Sequence, residues 1–92
     1  MIKKIRHKGL KKLFKTGIVA GIQPQQELRL RRILALLETA DSIEDMDLPG
    51  LNLHELKGNR KGTFAVQVSG NWRVTFQLSD GDVFDVDYED YH

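Results

Sequence analysis

The sequence predicts an α+β fold, in which two N-terminal helices pack on one face of a mostly antiparallel sheet. Apolar residues recur at helical spacing in the first half of the chain and at every second position from residue 51 onward. Tight-turn signals, among them Asp80-Gly81, separate the alternating segments. A chain of 92 residues is too short for two cores, so residues 1–92 are expected to form a single domain.

The two helices are predicted from apolar stripes with basic residues between them. Residues 2–7 are expected to form a short edge strand that precedes the first helix. The first stripe, which stops near Gly17, consists of Leu10, Leu13 and Phe14. After a connection at residues 17–23, Pro24 suits the first turn of the second helix, where its missing N–H is not needed. The second stripe, at i, i+3, i+4, i+7 spacing, consists of Leu30, Ile33, Leu34 and Leu37.

The second half of the chain predicts an acidic loop at residues 40–50, with one helical turn at 42–45, and then a meander of strands. Residues 58–62 and Gly70-Asn71 are predicted turns between these strands. The alternation assigns to the packed face Leu51, Leu53, Phe64, Val66, Val68, Trp72, Val74, Phe76, Phe84, Val86 and Tyr88. The same alternation directs away from the core His54, Arg73, Thr75 and Gln77.

The net charge is only +1, but basic and acidic residues are strongly separated along the chain. Residues 1–26 contain no acid and seven basic side chains, which are Lys3, Lys4, Arg6, Lys8, Lys11, Lys12 and Lys15. Residues 80–92 contain no Lys or Arg and six acids, which are Asp80, Asp82, Asp85, Asp87, Glu89 and Asp90. Such a distribution permits an electropositive face that attracts phosphate backbones. It is equally compatible with a basic helix that pairs with the acidic strand or faces water.

Composition excludes several classes of protein. The chain has no cysteine, so neither a disulfide nor a thiolate-bound metal is expected. The basic start lacks the unbroken apolar stretch of a signal peptide. No segment approaches the roughly 20 apolar residues that a membrane span needs. We therefore expect a cytoplasmic protein that makes no contact with membranes.

The polar side of the predicted sheet carries groups suited to phosphate chemistry. Three segments bring together His54, Lys57, Arg60, Lys61 and Arg73. The chain ends with Asp90, Tyr91 and His92. RNA supplies its own nucleophile, the 2′-OH, so a ribonuclease without a metal needs only a base, an acid and cations around the phosphate. We expect neither a metal nor another cofactor.

Each of these residues also has an ordinary structural interpretation. A single His on a strand is commonly a surface residue, Arg73 alone is typical of a solvated side chain, and a terminal Tyr-His pair is often disordered. Residues 58–62 also fit a plain hairpin loop, and His7 is expected to be structural or exposed. The residues alone favour an RNA-binding or RNA-cleaving protein without deciding between them.

Four segments, in order along nearly the whole chain, resemble the HigB toxins of type II toxin–antitoxin modules, within the wider RelE/ParE superfamily. They are RHKGLKKLF (residues 6–14), LHELKG (53–58), NWRVTF (71–76) and the ending DYEDYH (87–92). The resemblance implies a RelE-like microbial ribonuclease fold that cleaves messenger RNA in the A site of the 30S ribosomal subunit.

The resemblance also implies a set of functional residues and partners. The catalytic positions carry over to His54, Lys57, Arg73, Asp90, Tyr91 and His92. His54 and His92 are the candidates for proton transfer, with Asp90 orienting or replacing one of them. Lys57 and Arg73 would stabilise charge on the phosphate, and Tyr91 would stack on or hydrogen-bond to a nucleotide. The seven N-terminal cations, with Arg60 and Lys61, would bind RNA and the ribosome.

The implied partners are a HigA-type helix-turn-helix antitoxin, the ribosome with its ribosomal RNA, and messenger RNA. Operator DNA would be bound only through the complex with the antitoxin. A non-catalytic alternative is a ParE-like toxin that poisons a DNA-processing enzyme, or a degenerate toxin that serves as a corepressor, because one fold supports several functions. A general basic RNA-binding protein is a third hypothesis, which explains the N-terminus but not the C-terminal residues.

Overall fold

The computed structural model describes residues 1–91 and has the architecture predicted from the sequence. After an N-terminal arm (residues 1–6), helix α1 spans Lys8–Thr16 and helix α2 spans Glu27–Thr39. Within these residues, four antiparallel strands follow in the order of the chain: β1 (His54–Glu55), β2 (Phe64–Ser69), β3 (Trp72–Ser79) and β4 (Asp82–Asp90). One-turn 3-10 helices at Pro24–Gln26, Ile43–Met46 and Gly58–Arg60 lie in the connections. The predicted α+β class is confirmed.

Helix α2 contributes the largest apolar stripe to the core. All members of the predicted stripe are buried, namely Leu30, Ile33, Leu34 and Leu37. Beside this stripe, Arg29 donates hydrogen bonds of 2.8 and 3.1 Å to the carbonyl oxygen of Gln67 and a further one to that of Gly50. The guanidinium thereby fixes the helix to β2 and to the loop that leads into β1.

Helix α1 is held at both ends by specific contacts. His7 caps its first turn, since the ring Nδ1 accepts a hydrogen bond of 3.1 Å from the backbone N–H of Leu10. The edge of the same ring contacts Tyr88, with the ring centroids 5.1 Å apart. Gly17 ends the helix in the left-handed conformation, with φ of 77°. His7 is thus a structural residue, as the sequence indicated.

The N-terminal arm runs parallel to β4 and covers the edge of the sheet. The backbone N–H groups of Lys3 and Arg6 donate to the carbonyl oxygens of Val83 and Val86, both at 2.7 Å. The arm forms isolated bridges at Ile2 and Ile5 in place of the continuous edge strand predicted for residues 2–7. Its pairing protects β4 from adding another chain at that edge.

The β3–β4 hairpin contains a tight turn and a bulge. Asp80 and Gly81 have φ values of 53° and 80°, as the predicted two-residue turn requires. Gln77 pairs with Phe84 but Thr75 pairs with Asp87, so β4 has one extra residue at this point. The predicted packed position of Phe84 is wrong, because the bulge reverses the alternation on its N-terminal side. Val83 is fully buried in its place.

The core lies between the two helices and the helix-facing side of the sheet. Phe76, Val66, Val74 and Val86 are fully buried there. Tyr88 is buried as well, and its hydroxyl donates a hydrogen bond to Oε1 of Gln26, whose amide nitrogen donates to the hydroxyl of Ser69 at 2.7 Å. Burial raises the pKa of Tyr88 above its ordinary value, so the phenol stays protonated near neutral pH. Across the described residues, neither helix is both long and apolar enough to cross a bilayer.

Candidate active site

The sheet face opposite the helices, here called the polar face, carries the predicted site residues of the strands. Residues paired across a ladder point to the same side of the sheet. One row crosses the sheet through His54, Ala65, Thr75 and Asp87. A second row, two residues further along, consists of Gln67, Arg73 and Glu89. His54 and Arg73 therefore share this face, about 10 Å apart across the sheet, which is two strand spacings, and two residues apart along the strands.

His54 is exposed on β1, at the edge of the polar face. Its Nδ1 lies 2.9 Å from the carbonyl oxygen of Asn52. Since a carbonyl oxygen only accepts, the hydrogen bond requires the proton on Nδ1, which leaves the lone pair of a neutral ring on Nε2. Asn52 adopts a left-handed backbone conformation with φ of 50°, which Asn tolerates better than most residues. The local chain thus favours the tautomer that carries its proton on Nδ1 and its lone pair on Nε2.

Lys57 and Lys61 flank the Gly58–Arg60 turn that follows β1. Lys57 directly precedes this turn, Lys61 directly follows it, and both lysines are exposed. They line a surface depression together with Glu55 and Leu56. The turn is fixed at its far side by the carboxylate of Glu55, which accepts a hydrogen bond of 2.9 Å from the N–H of Gly62. Two ammonium groups therefore lie on the segment that follows His54.

Arg60 and Arg73 converge on a single carboxylate, that of Glu89. Oε1 of Glu89 accepts hydrogen bonds from Nε of Arg73 at 2.8 Å and from Nη1 of Arg60 at 3.0 Å, and it lies 2.7 Å from Nη2 of Arg73 in the same ion pair. The side chain of Arg73 is 13% exposed and that of Arg60 is 42% exposed. The structure therefore joins a predicted catalytic residue and a predicted RNA-binding residue through an acid.

Glu89 is the site residue that the sequence interpretation missed, because it was counted only within the acidic C-terminal segment. Burial raises its pKa, but hydrogen bonds and charge from Arg60 and Arg73 outweigh that effect, so the net pKa lies below its ordinary value of 4.5. The carboxylate is consequently ionised near neutral pH. The pairing of Glu89 with Arg73 could have been predicted from their positions on neighbouring strands, since opposite charges across a ladder attract.

Tyr91 lies directly after β4 and is tied to the turn between β2 and β3. Its N–H donates to the carbonyl oxygen of Asn71 at 2.8 Å. The guanidinium carbon of Arg73 lies 4.1 Å from the centroid of the Tyr91 ring, a cation–π contact. Tyr91 is nevertheless 40% exposed. Arg73 and Tyr91 therefore form one unit at this end of the polar face.

Asp90 and His92 complete the predicted C-terminal group. Asp90 is the last residue of β4 and pairs with Trp72, which places it at a register position on the helix-facing side, opposite to Arg73. His92 lies outside the described residues. The catalytic roles of both remain predictions.

A polar cleft of about 210 Å³ opens on the polar face beside the Arg60–Glu89 pair. It is lined by Arg6, Asn59, Arg60, Thr63, Thr75, Gln77, Asp85 and Asp87. Thr75 points away from the core as predicted but is only 1% exposed, because neighbouring side chains cover it. Within residues 1–91, no three His, Cys, Asp or Glu side chains are grouped so that they could hold a metal ion.

The seven basic residues before residue 27 are all exposed, from Lys3, Lys4 and Arg6 in the arm to Lys8, Lys11, Lys12 and Lys15 on α1. In the arm, Nζ of Lys4 lies 3.8 Å from the carboxylate of Asp85, and the terminal amine lies 3.8 Å from that of Asp82. The acidic strand thus pairs with the arm at these points. The lysines of α1 face solvent, so part of the basic charge is available to a partner.

Comparison with known proteins places this chain in a family. Residues 3–92 match the family described as RelE-like toxin of the type II toxin–antitoxin system HigB. The chain belongs to the HigB-like toxin family. It is 42% identical to the endoribonuclease HigB of Proteus vulgaris over 92 residues, which cover 100% of both chains. The family membership confirms the resemblance identified from the four segments.

A solved structure shows that the fold is shared more widely than the sequence. A crystal structure of a YafQ mutant from E. coli superposes with a TM-score of 0.66 at 19% identity, covering 98% of this chain and 91% of that one. At such low identity the match concerns the fold alone. It confirms the predicted arrangement of two helices on an antiparallel sheet.

Proposed function

We propose that this HigB-type endoribonuclease cleaves messenger RNA in the ribosomal A site and is restrained by a HigA-type antitoxin. Family membership and the full-length match to the endoribonuclease of Proteus vulgaris support the enzyme class. The structural observation that carries the proposal is the exposed ring of His54. Its Nδ1 is engaged by the carbonyl oxygen of Asn52, so the neutral ring presents a basic Nε2 on the same face as Arg73.

The proposed reaction uses the nucleophile that RNA itself contains. The 2′-oxygen attacks the adjacent phosphorus, its proton passes to a base, and the bond from phosphorus to the 5′-oxygen breaks. A general acid protonates the departing 5′-oxygen. The products are a 2′,3′-cyclic phosphate and a 5′-hydroxyl, and each general acid or base contributes roughly 10²- to 10⁴-fold in rate.

His54 serves as the base in this scheme, and His92 as the second proton-transfer group, with Asp90 orienting or replacing one of them. Arg73 and Lys57 stabilise the negative charge that develops on the phosphate, because positioned cations oppose that charge most strongly in the transition state. The exposed ring of Tyr91 provides a surface on which a base stacks. A cationic group and an aromatic ring held together, as in the Arg73–Tyr91 unit, suit a nucleotide that presents both phosphate and base.

The exposed lysines of α1 and the arm serve the ribosome in this proposal. Positive side chains recruit a phosphate backbone without reading its sequence. Seven basic residues precede residue 27, and all are exposed. Contact with ribosomal RNA through this region, together with Arg60 and Lys61, would deliver the polar face to the message. The protein would act in the cytoplasm, and its complex with the antitoxin would bind operator DNA.

The proposal is tested with purified protein, one defined message and ribosomes programmed to stall on that message. We expect cleavage at the codon in the A site, and a rate at least about 100-fold lower when ribosomes are omitted. Arg73→Ala and His92→Ala should each slow cleavage strongly, whereas Leu28→Gln, at an exposed position on α2, should not. Equal rates in the two site variants and the unmodified protein would contradict the catalytic assignment. Growth arrest through DNA damage, with the message intact, would favour the ParE-like alternative.

A further inference from the structure

Glu89 presents one carboxylate oxygen to two guanidinium groups. Arg73 reaches Oε1 from β3 through two nitrogen atoms, and Arg60 reaches the same atom from the Gly58–Arg60 turn. The distances of 2.7, 2.8 and 3.0 Å are those of charge-assisted hydrogen bonds. Two cations from separate elements are therefore already arranged around one anionic oxygen.

This arrangement has the chemistry of a phosphate site. A guanidinium group can donate two parallel hydrogen bonds to a pair of phosphate oxygens. A phosphodiester offers two unesterified oxygens, whereas the three observed contacts all end on one carboxylate oxygen. Two guanidiniums can therefore bind a backbone phosphate through separate oxygens. The exposed ring of Tyr91, stacked on Arg73, lies beside the position that such a phosphate would take.

The geometry also permits exchange of one anion for another. The side chain of Glu89 is 27% exposed and that of Arg60 is 42% exposed, so both have room to move toward solvent. Arg73 is held more firmly, between Glu89 and the ring of Tyr91, with a side chain that is 13% exposed. The carboxylate can leave without dismantling the core of the sheet.

We propose that Arg60 and Arg73 form one backbone-phosphate site for the RNA strand, and that the carboxylate of Glu89 occupies this site in the free protein until RNA displaces it. The inference rests on the proposed function, since it names how that site holds its substrate. It assigns Arg60 to the substrate site itself and makes Glu89 an internal competitor of RNA. Binding then includes the release of an intramolecular ion pair, which weakens the affinity of the free protein for RNA.

The test measures the affinity of the full chain for a single-stranded RNA made non-cleavable by 2′-O-methyl groups. Glu89→Gln keeps the size of the side chain and removes the competing charge. We expect about fivefold tighter binding at low salt, with a similar slope in a plot of log K against log salt, because both proteins contact the same number of phosphates once RNA is bound. Unchanged or weaker binding would overturn the proposal.

Two further variants separate the local effect from a change in net charge. Glu44→Gln makes the same change of charge at an exposed position in the Ile43–Met46 turn, and we expect it to leave the affinity within about 1.5-fold, because screening weakens distant charges. In a protein that already carries Arg60→Gln, Glu89→Gln should lose most of its gain, since the second guanidinium is gone. A gain as large in Glu44→Gln, or one that persists without Arg60, would also overturn the proposal.

A measurement on the unmodified chain tests whether RNA displaces the Glu89 carboxylate, even if Glu89→Gln does not fold. The side-chain carboxyl ¹³C resonance of Glu89 should move toward that of a solvated glutamate as the non-cleavable RNA is added. A resonance that stays in place at saturation contradicts displacement. Failure of the unmodified protein to cleave messages would contradict the proposed function, but it would not change the measured RNA affinities or the shift of the Glu89 resonance.

Discussion

The guanidinium of Arg73 rests on the ring of Tyr91, with Cζ 4.1 Å from the ring centroid. The cation covers one side of the aromatic ring, while Tyr91 as a whole residue is 40% exposed. A nucleobase can therefore stack on the remaining surface without displacing Arg73. This relationship links the residue proposed to stabilise the phosphate with the residue proposed to bind the base.

Substitutions of Tyr91 should separate stacking from hydrogen bonding. Tyr91→Phe keeps the ring and should retain activity within about threefold, whereas Tyr91→Ala should lower kcat/KM on programmed ribosomes by more than about tenfold, since stacking contributes roughly 1–3 kcal/mol per base. If Tyr91→Phe is as impaired as Tyr91→Ala, the hydroxyl is the functional group and the stacking role is wrong.

The ion pairs of Glu89 should make stability depend on pH in a defined direction. Its folded-state pKa is below 4.5, so it stabilises the protein above the unfolded-state pKa, and this stabilisation is lost as pH falls through the folded-state pKa. In urea unfolding, Glu89→Gln should cost about 1 kcal/mol at pH 7 and less at pH 3. A difference that is equal at both pH values would show that the ion pairs contribute nothing to stability.

The contact between Gly9 and Gly21 should make both positions intolerant of a side chain. A Cβ on Gly9 would lie 2.3 Å from the carbonyl oxygen of Gly21, and a Cβ on Gly21 would lie 2.5 Å from Cα of Gly9. Gly9→Ala and Gly21→Ala should each lower the free energy of unfolding by about 1–3 kcal/mol. The matched control is Lys12→Ala on the exposed side of α1, which should change it by less than about 0.5 kcal/mol.

The double variant sharpens this prediction. Because either substitution already separates the two backbones, the combined loss should be smaller than the sum of the single losses. Thermal unfolding monitored by circular dichroism gives all three values. Strict additivity would show that the two glycines do not act through their mutual contact.

His7 should matter for stability and not for catalysis, in contrast to His54. His7→Ala removes the cap of α1 and should cost about 1 kcal/mol, while His7→Asn supplies another capping oxygen and should recover part of that loss. Both variants should cleave RNA at rates close to that of the unmodified protein at a temperature where they are folded. A catalytic defect in folded His7→Asn would contradict the structural role.

The sequence was informative wherever one local rule determined the structure. The stripe from Leu30 to Leu37 could only bury one face of a helix, and Asp80-Gly81 supplied the two residues that tolerate a positive φ. Phe84 was assigned to the wrong side of the sheet because β4 contains a bulge at Asp85. The bulge depends on how β4 pairs with β3, and the alternation within β4 alone does not predict it.

The site was predictable in its residue types but not in its pairing. Arg73 and Arg60 were both expected at the RNA, yet their shared partner Glu89 emerges only when strand register and the Gly58–Arg60 turn are combined. Likewise, the position of Asp90 beside Trp72 follows from register and not from its neighbours Glu89 and Tyr91. Interactions between distant segments are what a single sequence conveys least.

The chemistry of the cleaved ends shows whether the 2′-oxygen of the RNA is the nucleophile. Messages cut on programmed ribosomes should carry a 2′,3′-cyclic phosphate upstream of the cut and a 5′-hydroxyl downstream, and His54→Ala should slow their appearance by at least about 100-fold. A 3′-hydroxyl with a 5′-phosphate would show that the 2′-oxygen is not the nucleophile. An unchanged rate in folded His54→Ala would show that the imidazole on the polar face is not the base.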